Sequence, residues 1–245
     1  MTLARDLSHT TLARIQSHFG MTEITRNGGT YQPLISPGPF GQVGDLRIFQ
    51  GDQISKMVYI GMTVTPIGLD SHMIFAFTPP GSAVPHFTLD SVMNGADNFA
   101  FHLDLIPRVD LGANLEYLLQ VLHPLSGTFE EVGKIEGLTP ARLGPLQYAI
   151  MSPWMLAYRA SASAFEAITA PVNTYLDHWF KLVDEGLGDL PYDADYLAER
   201  DRKNRAAIFN PEVDRVWAQV DRLLGVQTST FLRTTLQDQA VIAPV

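Results

Sequence analysis

Hydrophobic residues in the first half of the chain form short runs that predict β-strands. Turn residues such as Gly51-Asp52 and Asn94-Gly95-Ala96-Asp97 separate them. Because parallel strands need long crossovers, connections this short predict antiparallel pairing. Ahead of the strands, residues 8–19 have apolar positions at helical spacing, with Ser8 or Thr10 as the N-cap. The predicted strands lie at 46–50, 54–64, 72–77, 87–92 and 99–105.

The second half of the chain has the longer apolar period of amphipathic helices. We expect the longest helix to bend at Pro171, since proline removes a backbone donor. In the last helix, Asn210 is the predicted N-cap and Pro211 the first helical residue. The predicted helices cover 114–123, 140–148, 161–185, 193–208 and 211–224.

This order of elements predicts the fold class. Strands followed by helices indicate an α+β domain in which helices cover an antiparallel sheet. We expect a single domain over 1–245, strand-rich from 45 to 110 and helix-rich from 111 to 240. The Gly and Pro content of residues 27–41 argues against a long regular element there.

Composition narrows the possible functions. The chain has 245 residues, of which 46% are hydrophobic and 18% charged, so it can bury a sizeable core. Its net charge of −9 argues against wide, non-specific nucleic-acid binding. It has no Cys, which excludes disulfides, thiolate catalysis and Cys-ligated clusters. No run approaches the roughly 20 apolar residues of a membrane span, and no signal peptide is evident, so we expect a cytoplasmic protein.

The stretch around His86 holds the candidate chemistry. In an extended chain His86, Thr88 and Asp90 share one face, because side chains alternate with a period of two. An imidazole and a carboxyl on one face can form a proton-transfer pair; the alternative is that both bind backbone or water at a strand end. Arg108 has two interpretations as well, a bidentate clamp for a carboxylate ligand or a partner of Asp110.

Familiar catalytic motifs are absent from the sequence. It has no Gly-rich phosphate loop, no dinucleotide-binding fingerprint, no His-Glu-x-x-His and no Gly-x-Ser-x-Gly. The seven His show no standard metal-ligand spacing, so no metal site is predicted. A metal-dependent enzyme stays open as one alternative, with His86 and His102 meeting across neighbouring strands beside Asp90 or Asp104.

Three segments resemble the ferredoxin-dependent bilin reductases and their relative, red chlorophyll catabolite reductase. Residues 85–90, Pro-His-Phe-Thr-Leu-Asp, are similar to the family's Pro-x-Phe-x-x-(Asp/Glu). Residues 103–111 are close to the chlorophyll-catabolite branch's Leu-Asp-(apolar)-x-Pro-Arg-x-Asp-Leu. The resemblance extends over roughly 45–238. Its C-terminal part comprises Met151-Ser152-Pro153-Trp154, Tyr158-Arg159-Ala160-Ser161-Ala162, Tyr175-Leu176-Asp177-His178-Trp179 and Asn210-Pro211-Glu212.

The resemblance implies an α/β/α sandwich with a central antiparallel sheet, and a linear tetrapyrrole bound between sheet and C-terminal helices. It implies no tightly bound cofactor: reduced ferredoxin supplies single electrons, and protein acids protonate the substrate radical. The expected function is ferredoxin-dependent reduction of a bilin or chlorophyll catabolite. The alternative is a non-catalytic tetrapyrrole or apolar-ligand binding protein. Docking an acidic ferredoxin requires a local basic patch, and the candidates are Arg200, Arg202, Lys203 and Arg205.

The resemblance also assigns residue roles. Asp90 matches the family's central proton-donating carboxyl, and His86 is expected to assist it. Asn210 falls near the second catalytic position, with Asp214 as the alternative. The predicted substrate-binding residues are Phe87, His72, Arg108 and Arg159.

Two positions depart from the family pattern. A family Glu on the preceding strand falls at Gly61. The His of the bilin branch lies near His72, although an ungapped match puts it at Met73. A slip of one residue turns a side chain to the other face of the sheet, so these positions bear on which reduction takes place.

Overall fold

A nine-stranded antiparallel sheet forms the centre of the protein. The computed structural model describes residues 2–188 and 192–242. Within them the strand order is β1-β3-β4-β5-β6-β7-β9-β8, and β2 pairs with β3 beside β1. The strands are β1 (Thr22–Ile24), β2 (Gln32–Ile35), β3 (Gln42–Gln50), β4 (Lys56–Val64), β5 (Leu69–Phe77), β6 (His86–Asn94), β7 (Phe99–Ile106), β8 (Leu138–Pro140) and β9 (Leu156–Ala160).

Helices cover both faces of this sheet. One hydrophobic core lies between the sheet and α1, α2, α3, α5 and α6; the other lies between the sheet and α7, α8 and α9. Alternation along β4 supplies both, since Tyr59 faces the first core and Ile60 the second. The helices are α1 (Leu3–His18), α2 (Leu115–Val121), α3 (Ser126–Val132), α4 (Pro145–Ile150), α5 (Ala162–Ala167), α6 (Thr169–Glu185), α7 (Ala194–Ile208), α8 (Trp217–Leu224) and α9 (Val226–Gln237).

The predicted fold class is confirmed: the structure is a three-layer α/β/α sandwich around an antiparallel sheet. The five predicted strands correspond to β3 through β7. Residues 27–41 contain one short strand, the four-residue β2, and no long regular element. Strands β1, β2, β8 and β9 and helices α3 and α9 were not predicted. No helix among the described residues is both long and apolar enough to cross a bilayer.

Four of the predicted helices differ from the structure in their boundaries. Helix α1 begins at Leu3 with Thr2 as its N-cap, and Ser8 is buried inside it. The helix predicted at 161–185 is interrupted at Ile168 and not bent at Pro171. Pro171 lies in the first turn of α6, where a backbone N–H has no hydrogen-bond partner within the helix, so proline is tolerated there.

The third correction concerns residues 211–216, which are not helical; α8 begins at Trp217. The Asn210 side chain accepts a hydrogen bond from the Glu212 amide at 2.9 Å, and Asp214 accepts one from Val216 at 3.0 Å. These local bonds form two successive Asx turns, which delay the helix. The helix predicted at 140–148 is also shorter, since β8 ends at Pro140 and α4 starts at Pro145.

Two buried cations, Lys56 of β4 and Arg205 of α7, hold the C-terminal end of helix α9. The Lys56 ammonium donates to the carbonyls of Thr235, Asp238 and Ala240 at 2.7, 2.5 and 2.8 Å. The Arg205 guanidinium donates to the Leu236 carbonyl at 2.7 and 2.9 Å. The last carbonyls of a helix have no intrahelical partners, and positive charge near them is favourable. Lys56 and Arg205 therefore cap the C-terminal end of α9 from the sheet and from α7.

Replacing Lys56 with Met removes three charge-assisted hydrogen bonds and leaves three carbonyls without this donor. We expect the free energy of unfolding to fall by about 3 kcal/mol, measured by urea denaturation. The matched control is Lys181→Met, since Lys181 is exposed on α6 and its one ion pair with a described residue is with Glu185 at 4.0 Å. The control should change stability by less than about 0.5 kcal/mol. Equal losses in both variants would contradict a capping role for Lys56.

Candidate active site

A cavity of about 620 Å³ lies between the central strands and helices α4, α8 and α9. This volume falls within the range of about 300–1,000 Å³ that is usual for small-molecule sites. Most of the side chains that line it are apolar. Strands supply Ile60, Met62, Met73, Phe75 and Val92; the helical side supplies Ile150, Phe209, Trp217, Val220, Leu232 and Leu236.

The sheet side of the cavity is one row of paired residues. Ile60 pairs with Met73, Met73 with Asp90, and Asp90 with His102. Residues opposite each other on neighbouring strands face the same side of the sheet, so these four side chains form a line that we call the cavity floor. All four line the cavity. Asp214, in the turn before α8, faces the cavity from the helical side.

Asp90 and His102 are close together and incompletely hydrogen-bonded. The His102 Nδ1 lies 3.6 Å from Asp90 Oδ2. Asp90 Oδ1 and His102 Nε2 are buried without a hydrogen-bond partner among the described residues. A buried polar atom without a partner costs about 1–3 kcal/mol. Both residues line the cavity, while these two atoms are themselves sealed from it.

The site's electrostatics favour protonated groups. Burial lowers the pKa of His102, but Asp90, and then the charges of Asp104 and Asp214, raise it above its ordinary value overall. Burial raises the pKa of Asp214, and the nearby Asp90 charge raises it further. Burial likewise raises the pKa of Asp104, against the opposing hydrogen bonds from Ser152. These shifts favour the protonated forms of His102 and Asp214, which are the forms that can donate a proton.

Of the predicted catalytic residues, Asp90 lines the cavity and His86 does not. His86 lies four residues before Asp90 on the same face, a separation of about 13 Å along the strand. Its Nε2 donates to Asp201 at 2.6 Å, and its Nδ1 accepts from the Thr78 amide at 3.1 Å. Burial, reinforced by the Arg108 charge, lowers the pKa of His86 to about 3. His86 is thus a neutral, fully engaged side chain away from the cavity.

Arg108 lies in the same buried cluster. Its guanidinium is 3.5 Å from Asp201 and donates to Thr78 Oγ1 at 2.9 Å and to the Pro80 carbonyl at 2.6 Å. Arg108 does not line the cavity, and in the described part of the chain its ion-pair partner is Asp201 and not Asp110. We call His86, Arg108, Asp201 and Arg205 the buried charge cluster.

The other predicted arginine, Arg159, is exposed on β9 and does not line the cavity. Arg222 of α8 lines it instead and is exposed. Nothing in the sequence pattern distinguished Arg222 from other surface arginines. Asn210 does not line the cavity, whereas the alternative, Asp214, does.

His72 and Phe87 face the opposite side of the sheet. His72 Nδ1 is hydrogen-bonded to the Tyr59 hydroxyl at 2.7 Å, and Nε2 to Asp70 at 3.0 Å. Phe87 packs against Trp179 in the core beneath α1 and α6. Neither lines the cavity, and Met73 is the β5 residue on the cavity floor.

Gly61 also faces away from the cavity. A Cβ at this position would lie 2.5 Å from the Tyr59 hydroxyl, which belongs to the opposite face. An acid at position 61 would therefore not reach the cavity. The β4 side chains that do reach it are Ile60 and Met62, both apolar.

The metal-dependent alternative lacks its ligand set. His86 pairs with Ile106 and His102 with Asp90, so the two imidazoles are four residue pairs apart (106 − 102 = 4). Across residues 2–188 and 192–242, no group of three or more His, Asp or Glu side chains is arranged to hold a metal ion.

A second depression, of about 1070 Å³, lies between α1 and α6. Its charged side chains pair with one another: Arg14 with Asp177 at 2.5 Å, and His18 with Asp184 at 2.8 Å. Pairs this exposed are worth about 0–1 kcal/mol. This groove is a solvated surface, and the enclosed cavity is the better candidate.

The segments that carry the family resemblance meet in space. Ser152 donates to the Asp104 carboxylate from its amide at 2.9 Å and its hydroxyl at 2.5 Å. The Trp179 indole donates to the Pro85 carbonyl at 2.8 Å. These bonds join β6, β7, the loop before β9 and α6 around the site.

Comparison with known proteins agrees with this fold. No protein-family model matches the sequence, and no curated protein matches it. Among solved structures, the chain is similar to phytochromobilin synthase from tomato, crystallised in complex with biliverdin. The TM-score is 0.77 at 17% sequence identity, over 95% of this chain and 82% of that one. At this identity the likeness establishes the fold, which is that of a bilin reductase.

The histidines should titrate differently. By NMR, His102 should titrate above its ordinary pKa of 6.5, and Asp90→Asn should lower its pKa. His86 should show no titration between about pH 5 and 8. Because the folded-state pKa of His102 is raised, its stabilising contribution is complete at low pH and is lost as pH rises through that pKa. The exposed His123 is the control; an unchanged His102 pKa in Asp90→Asn would rule out the pairing.

Proposed function

We propose that the protein binds a linear tetrapyrrole in the cavity and reduces it, with electrons supplied singly by reduced ferredoxin and protons supplied by side chains of the cavity. The supporting observation is the pair Asp90 and His102, 3.6 Å apart on the floor of an otherwise mostly apolar cavity. A flat pigment with an apolar perimeter and a polar nitrogen centre matches this distribution. Biliverdin in the structurally similar synthase is a pigment of this kind.

Asp90 is the proposed main proton donor. Reduction of one double bond consumes two electrons and two protons, so a protein that receives only electrons from its partner must provide protons within the cavity. Asp90 reaches the cavity from the centre of the sheet, where β5 and β7 hold its strand on both sides. Asp214 lies across the cavity and is the second acid.

Carboxylates of the pigment are expected at the cavity opening. Arg222 lines the cavity, and Arg215 is exposed in the turn before α8. Neither takes part in an ion pair among the described residues. Arginine is suited to bidentate contact with a carboxylate, and the same unpaired charge favours an approaching acidic protein.

The four basic residues that the sequence suggested for ferredoxin docking are hydrogen-bonded or ion-paired within the protein. Arg200 donates to the carbonyls of Pro107 and Val109 at 2.8 and 2.9 Å. Arg202 and Lys203 pair with Glu199 at 2.8 and 3.2 Å, and Arg205 is buried. We therefore place the proposed docking surface at the opening beside Arg215 and Arg222.

A non-catalytic binding protein is the second candidate. Ile60 and Met73 occupy half of the cavity floor, and neither can donate a proton. Fewer proton donors favour binding without reduction, so turnover has to be tested separately from binding.

Binding is tested by titrating the purified protein with biliverdin. An apolar, partly enclosed site should shift the visible absorption band at micromolar pigment. The readout is the difference spectrum, and the fitted dissociation constant gives the affinity. The absence of any shift would contradict both the reductase and the binding-protein proposals.

Turnover is tested with reduced ferredoxin and the Asp90→Asn variant. The pigment band of the wild type should convert to that of a reduced product, and Asp90→Asn should bind pigment normally while kcat falls at least about 100-fold. Asp52→Asn, an exposed turn position, is the matched control. An unchanged wild-type spectrum would leave only the binding protein, and full activity of Asp90→Asn would remove Asp90 from the mechanism.

A further inference from the structure

We infer, building on the proposed function, that His102 is a proton donor in addition to Asp90 and Asp214, and that it directs protonation to the part of the pigment above β6 and β7. From the sequence alone, His102 was a candidate only as a metal ligand. Its place in the lining of the cavity, opposite Asp90 and 3.6 Å from it, points to a different role.

The floor of the cavity is divided into two halves. From β4 and β5 the cavity receives Ile60, Met62, Met73 and Phe75, together with the Ser71 hydroxyl. None of these side chains carries a proton that dissociates near neutral pH. From β6 and β7 it receives Asp90 and His102. A pigment lying across the floor therefore meets proton donors on one side only.

His102 is oriented for donation by its neighbours. Nδ1 faces Asp90 Oδ2 at 3.6 Å, and the ring is partly accessible where it lines the cavity. The charged groups that act on the ring are Asp90 from β6, Asp104 from β7 and Asp214 from the turn before α8. All three are carboxyls, and they stabilise the imidazolium form.

The proposed step balances in atoms and charge. One electron passes from reduced ferredoxin to the pigment. A ring N–H bond of the His102 imidazolium then breaks, a C–H or N–H bond forms on the pigment radical, and neutral imidazole remains, to be reprotonated from solvent. With Asp90 supplying the other proton and a second ferredoxin the other electron, one double bond is reduced.

The test compares His102→Gln with His123→Gln, which changes an exposed histidine. Biliverdin binding and the pH dependence of turnover with reduced ferredoxin are measured for both. His102→Gln should keep its dissociation constant within about threefold while kcat falls about 100-fold. The wild-type kcat should decline as pH rises through the pKa of His102. The kcat of His102→Gln should not show this decline. Added imidazole should partly restore kcat in His102→Ala.

The outcomes separate the two proposals. A wild type that binds no biliverdin overturns the proposed function together with this inference. A wild type that turns over, beside a His102→Gln variant with unchanged kcat and pH profile, overturns the inference alone. If the His102 variants do not fold, the pH dependence of wild-type kcat is the test. Its midpoint must equal the pKa of His102 measured by NMR, and a different midpoint overturns the assignment.

Discussion

The helical side of the cavity depends on one buried carboxylate. Asp201 of α7 accepts from His86 at 2.6 Å, lies 3.5 Å from Arg108 and 3.6 Å from Arg205, and accepts from Gln239 at 2.7 Å. Burial alone would raise the pKa of Asp201, but the His86 hydrogen bond and the two arginine charges hold it below its ordinary range. This contact joins the ends of β6 and β7 to α7.

The buried charge cluster then determines where α9 lies. Arg205 contacts both Asp201 and the end of α9, where Lys56 completes the capping of the last carbonyls. Leu232 and Leu236 of α9 line the cavity. Removing one partner of a buried ion pair costs about 3–5 kcal/mol, because a charge stays buried without compensation. His86 and Arg108 thus act on the cavity from outside it, through Asp201 and Arg205 of α7. This explains how residues of the segments 85–90 and 103–111 can be important without lining the cavity.

Sequence reasoning succeeded where structure is local. Strands β3 through β7 have short turns and clear apolar patterns, and the central antiparallel sheet follows from them. It failed for three-residue strands such as β1, which show no period, and at Asn210, where an Asx turn and an N-cap have the same residue signature. His86 and Asp201 are 115 residues apart, so no local pattern separates a buried ion partner from a substrate contact.

The alternation of side chains along each strand determines which residues form the cavity floor. His72 and Met73 differ by one position, yet His72 is hydrogen-bonded beneath α1 while Met73 faces the cavity. At 17% identity an alignment cannot settle a shift of one residue, whereas the pairing of Met73 with Asp90 does. The same rule finds His102: the hairpin around Asn94–Asn98 sets residues on β6 and β7 opposite each other, so Asp90 must face position 102. The cavity floor thus has the carboxyl of Asp90 on β6, the histidine His102 on β7 and the apolar Met73 on β5.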